Sequence, residues 1–214
     1  YGDINTWDVS AITDFSYLFQ QRNTFDSDIS NWDVSSGTNF NSMFYDASSF
    51  NQDISSWDVS NGTDFTYMFY YASSFNQDIS SWDVSNGTAF SDMFNGAESF
   101  NQDISSWEVG SSTNFRNVNL NGMFSNATAM QARGFSSSPA MGQFTGPNPN
   151  VFRNRFTLDY AVDLWISDEV SATATYGDIN TWDVSAITDF SYLFQQRNTF
   201  DSDISNWDVS SGTN

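Results

Sequence analysis

The chain has 214 residues, with 26 acidic side chains against 6 basic ones for a formal charge of −20, and 18% of its residues are aromatic. All six basic residues are arginine, and Lys, Cys and His are absent, which excludes disulfides, thiolate metal sites, Schiff bases, Ser-His-Asp triads and imidazole acid–base chemistry. The negative excess repels nucleic-acid phosphates and anionic membrane surfaces alike, and no apolar run reaches the roughly 18–20 residues of a bilayer span. A start at Tyr1, without initiator Met or signal peptide, reads as a fragment or a mature segment.

In chain order, the first feature is a repeat. Trp7, Trp32, Trp57, Trp82 and Trp107 stand 25 residues apart in WDVS, WDVS, WDVS, WDVS and WEVG. They define units at 1–25, 26–50, 51–75, 76–100 and 101–130, the last with extra residues before Met123-Phe124. Within 51–75, Ile54-x-x-Trp57-x-Val59 has the spacing of a leucine-rich-repeat strand, with Asp58 turned away from the face that Trp57 and Val59 share. Thr63, in register with Thr13, Thr38, Thr88 and Thr113, is placed to cap a helix. Phe65, Met68 and Phe69 follow at i, i+3 and i+4, the spacing of one helical face. The fold class expected is therefore an α/β repeat solenoid, one short strand and one short helix per coil. Its core is the Trp column, with coils about 4.8 Å apart.

The motif F-N-Q-D-I-S-S-W-D-V-S-N-x-T-x-F/M-x-x-M-F resembles the 25-residue repeat of BspA-like leucine-rich-repeat surface proteins. The resemblance covers 1–130 and restarts at 176; Gly62 and Gly87 depart from it, standing where that family has an apolar residue. It implies an extracellular or cell-surface protein associated with adhesion, and it carries no catalytic residue.

Residues 131–175 hold all three prolines and no WDVS. After a loop, Phe156, Leu158, Tyr160, Val162, Leu164 and Ile166 alternate with other residues, a period of two that predicts one long strand or a bent pair. This β-rich segment is expected to cap the solenoid and to present an assembly junction to Ile179 and Trp182 of the following coil. Residues 176–214 then repeat residues 1–39 at every position. That recurrence reads as a natural array of 175-residue modules; an engineered duplication or a chain running past a subunit boundary are the alternatives.

The chemistry left open is sparse. Asp8, Asp33, Asp58, Asp83 and Glu108 form one acidic column, read as a solvated face or a weak calcium site. Like charges about 5 Å apart repel by roughly 0.8 kcal/mol in water and about 3 at an effective dielectric of 20. Asp3, Asp28, Asp53, Asp78 and Asp103 form a second column, expected to bond nearby backbone N–H groups. Acids that recur in every coil are architectural, so no enzyme and no other cofactor is expected. Tyr45, Tyr70 and Tyr71 are candidates for exposed contacts. Asn61, Asn86 and Asn126 begin N-x-S/T triplets open to glycosylation. The function expected is a structural module of an extracellular filament or giant tandem-repeat surface protein, with copies of itself as partners. The alternative is an adhesin module that binds a surface protein or glycan through the strand face or the Tyr-bearing edge.

Overall fold

The computed structural model describes residues 2–109, 120–135, 137–139, 144, 149–153 and 155–213. Two compact units emerge, Tyr1–Ala140 and Met141–Asn214.

In the first unit the 25-residue repeats stack, but among the described residues neither the expected strand nor the expected helix forms. Among the described residues the only β pairing there is a line of isolated parallel bridges, Asp14 to Asn39, Asn39 to Asp64 and Asp64 to Ala89. Helix among the described residues of this unit is confined to a 3-10 turn at Ile4–Thr6 and to α1, Thr128–Ala132, at the end of the last repeat. The α/β solenoid is thus replaced by stacked turns.

The reason lies in how each coil divides its backbone donors. The N–H groups of Phe65, Tyr67, Phe69 and Tyr71 donate to the carbonyls of Ala89, Ser91, Met93 and Asn95 in the next coil, at 2.8–3.0 Å. Those of Met68, Tyr70 and Ala72 turn back to the carbonyls three residues earlier. Serving both directions requires a left-handed residue every fourth position, and Tyr67 (φ 57°) and Tyr71 (φ 52°) supply it. Tyr17 with Gln21 and Ser42 with Asp46 do the same in earlier coils. Left-handed backbone costs an L-residue roughly 1–2 kcal/mol; here it aims the flanking donors along the stack. In the fourth coil Gly96 takes the position of Tyr71, where that backbone is nearly free of cost. A four-residue turn also brings Phe65 and Phe69 to one side, and over a single turn its period cannot be told from 3.6.

The Ile54–Val59 stretch keeps its sidedness without becoming a strand: Ile54, Trp57 and Val59 are buried and Asp58 is exposed. Trp57 N–H and Gly62 N–H are spent within the coil, on the Ile54 and Val59 carbonyls. Neighbouring coils are joined here by side chains instead. Asn51 Oδ1 accepts from Asn76 N–H, Asn86 Nδ2 donates to the Ser60 carbonyl, and Trp82 Nε1 donates to the Ile54 carbonyl. The expected Thr caps are also rungs. Thr63 donates from both N and Oγ1 to the Thr38 carbonyl, and Thr88 repeats this on Thr63; Thr113 lies outside the described residues.

The core consists of aromatic columns. Phe15, Phe40, Phe65 and Phe90 stack with ring centroids 5.3–5.5 Å apart, and Phe19, Phe44, Phe69 and Phe94 do so at 5.4–5.5 Å. The departure at Gly62 has a packing cause: a Cβ there would lie 2.4 Å from Phe65 Cζ and 2.9 Å from the Val59 carbonyl oxygen. The ring cannot retreat, because its neighbours hold it from both sides. Gly62→Ala is therefore expected to destabilise the first unit by about 1–3 kcal/mol, the usual cost of overpacking. An unchanged urea midpoint would contradict this.

The second unit corrects the strand assigned to Phe156–Ile166. Residues Arg155–Ser167 form α2 and Glu169–Tyr176 form α3. Leu158, Ala161, Val162 and Trp165 are buried at i, i+3, i+4 and i+7, a helical face that the alternation of other apolar residues conceals. Asp168 caps α3 by accepting from Ser171 N–H. Both helices share one core with Ile179, Trp182, Val184, Ile187, Leu193 and Trp207 of the coils at 176–214. What reads as separate segments at 131–175 and 176–214 is thus largely one compact unit.

Candidate functional site

The Trp column is buried at Trp32, Trp57, Trp82 and Trp107, whereas Trp7 is 43% exposed. Each buried indole also spans the stack: Nε1 of Trp32, Trp57, Trp82 and Trp107 donates to the carbonyl of Ile4, Ile29, Ile54 and Ile79 respectively, at 2.8–3.2 Å. A buried indole N–H needs such a partner, and the Ile-x-x-Trp motif of the preceding coil provides it.

The acidic columns are used locally. Asp8, Asp33, Asp58 and Asp83 each accept from the backbone N–H two residues on, and Asp8 and Asp33 also from the hydroxyl of that serine. Asp28, Asp53, Asp78 and Asp103 of the second column make the same turn. These bonds hold the carboxyl groups of Asp8, Asp33 and Asp58 below the usual range, although Asp8 pushes on Asp33 and Asp33 on Asp58. Among the described residues no three acidic side chains converge to hold an ion. The candidate calcium column Asp8, Asp33, Asp58, Asp83 and Glu108 therefore has no assembled cage.

Those lowered values set a pH dependence. A carboxylate with a folded-state pKa below its unfolded one contributes stability that is complete above the unfolded value, about 3.9 for Asp, and is lost as pH falls through the lower one. Thermal denaturation should accordingly show Tm falling below about pH 4. A Tm that rises on acidification would mean that repulsion along the columns outweighs the turns.

Four tyrosines of the first unit form an aromatic cluster. Tyr45 and Tyr70 stack at 4.7 Å, with Tyr67 and Tyr71 edge-on to Tyr70 at 5.5 and 4.6 Å. Tyr67 and Tyr71 are exposed at the left-handed positions. Burial, with Tyr71, Tyr45 and Asp92 nearby, raises the Tyr70 phenol above its ordinary value. The sequons lie at exposed positions, but their amides act as rungs: Asn61 and Asn86 donate from Nδ2 to the Ser35 and Ser60 carbonyls, and Asn126 to Asn95 Oδ1.

In the second unit an open apolar cavity of about 290 Å³ is lined by Phe190, Leu193, Phe194, Trp207 and Val209 among others. The equivalent Phe15 and Phe19 of the first unit stack on Phe40 and Phe44 of the next coil.

The junction residues Leu158, Val162, Ile179 and Trp182 meet in the second unit's core, with Leu164 and Ile166 at its margin. Tyr160 is half-buried, and the side chain of Phe156 lies outside the described residues. Sequence reasoning misses the polar contacts that fix the helices there. Arg197 pairs with Asp159 and Asp163 at 2.8 and 2.7 Å, and Arg155 pairs with Asp159 at 2.9 Å. Burial acts to raise the Asp159 pKa, but bonds from Arg155 and Arg197 outweigh it and hold the carboxyl below its usual range. Trp165 Nε1 donates to Ser202 Oγ, and Phe152 N–H to the Asp183 carbonyl. The four-residue spacing of Arg155, Asp159 and Asp163 is the one sequence signal for this charged helix face.

Stacked 25-residue turns, joined by recurring side-chain rungs over aromatic columns, define a tandem-repeat protein. The chain belongs to the family described as "Mycoplasma protein of unknown function, DUF285", whose model matches residues 1–107, 63–137 and 161–214. No curated protein and no solved structure matches it.

Proposed function

We propose that this chain is a structural module of an extracellular filament or giant tandem-repeat surface protein, assembled head to tail with copies of itself. The observation that carries the reading is the recurrence of residues 1–39, unchanged, at 176–214. The 25-residue units have diverged from one another while this longer repeat has not. The resemblance of the WDVS motif to BspA-like surface proteins supports the cell-surface setting. Local use of the acidic side chains supports an architectural role rather than catalysis, and the −20 charge disfavours nucleic-acid partners.

Electron microscopy of chains carrying several 175-residue copies tests the proposal. Ordered fibres with one dominant axial spacing are expected, and deleting 151–170 from each copy should abolish them. Chains without axial order, or fibres that survive the deletion, would overturn it. An adhesin is the second reading, favoured by the Tyr45–Tyr67–Tyr70–Tyr71 cluster, of which Tyr67 and Tyr71 are exposed. Saturable binding to a glycan or surface protein, lost in Tyr67→Ser/Tyr71→Ser, would support it.

A further inference from the structure

One sequence occurs in this molecule in two environments. Trp7, Ile12 and Leu18 are 43%, 43% and 47% exposed, while the identical Trp182, Ile187 and Leu193 are each 2% exposed. The difference is what lies against them: in the second unit α2 and α3 pack on these side chains. Trp182 meets Trp165 edge-on at 5.9 Å and Tyr176 at 5.7 Å. The polar groups that anchor this cover have identical counterparts within residues 1–39. Asp183, Ser191, Arg197 and Ser202 correspond to Asp8, Ser16, Arg22 and Ser27. In the second unit they receive Phe152 N–H, receive Arg155, pair with Asp159 and Asp163, and accept from Trp165.

We propose that the exposed face of Trp7, Ile12 and Leu18 is a docking seat for a segment of the sequence 141–175, supplied by another copy of the module. The proposal rests on the head-to-tail reading and names the contact that such assembly uses. Its register is that of the second unit: Trp165 sits over Trp7, and Arg22 pairs with Asp159 and Asp163 of the arriving α2. The chemistry is complementary on both counts. An apolar face rimmed by one arginine meets an apolar helix face carrying two carboxylates, and burial of the apolar side chains supplies most of the affinity.

The absence of cysteine gives a direct readout. Ile12→Cys and Ile187→Cys are made singly in the full chain, and thiol labelling is followed under native conditions. The Ile12 thiol should react at least tenfold faster than the Ile187 thiol. A second chain carries residues 141–175 fused to the N-terminal side of Tyr1, recreating the natural Thr175–Tyr176 junction. Labelling at 12 should slow at least tenfold there, and Arg22→Ala should restore part of the rate in the extended chain but leave the parent unaffected. Rapid labelling at 12 in the extended chain, with position 187 still protected, would overturn the proposal, because the helices would then be folded but not seated. Protection at 12 in a multi-copy chain that forms no fibre would leave the docking seat intact and count against the filament reading alone.

Discussion

Trp57→Ala is expected to destabilise the first unit by about 3–5 kcal/mol, the range for large-to-small changes at buried aromatic positions, a large share of the roughly 5–15 kcal/mol that holds an ordinary domain folded. Two losses combine. The indole is buried and lies 6.2 Å from the Phe44 ring, so its removal leaves a void between stacked rings. Its Nε1 also donates to the Ile29 carbonyl at 3.2 Å, and alanine removes that bond and leaves the carbonyl only the Trp32 N–H. Trp7→Ala should cost far less, because Trp7 is exposed. Denaturant unfolding of the two variants checks both, and equal effects would mean that the column is not graded by burial.

Leu158→Ala should cost about 2–5 kcal/mol, confined to the second unit. Leu158 is fully buried in the core that joins α2 and α3 to Ile179, Trp182 and Leu193. Hydrogen exchange resolves the expected result: amides of the coils at 176–214 lose protection and those of 15–100 keep theirs. Loss of protection in both regions would show that the units do not unfold independently.

The repeat, its period and most of the core were legible because they depend on spacing alone: a Trp every 25 residues and a Phe at fixed offsets. Local conformation was not. Phe65, Met68 and Phe69 fit a helical turn as well as they fit a four-residue left-handed turn, and nothing in a tyrosine at 67 or 71 announces positive φ. The Ile54–Val59 stretch mimics a strand for a related reason. Alternating burial fixes sidedness, but whether a ladder forms depends on where the N–H groups go, and Asn, Ser and Trp side chains take that role here. At 156–166 one alternating set of apolar residues hid the set that is buried, Leu158, Ala161, Val162 and Trp165. The packing of 155–176 on the coil that follows was half legible. The repeat register sets Ile179 and Trp182 next to the preceding segment, but Arg197 and its aspartates lie more than thirty residues apart in sequence and meet only through the fold.

Small-angle scattering from chains of one, two and four tandem 175-residue copies tests the structural-module reading most directly. Modules seated on one another through the first-coil face should give a maximum dimension that grows in proportion to copy number. Growth closer to the square root of copy number, the behaviour of units on flexible connections, would contradict it.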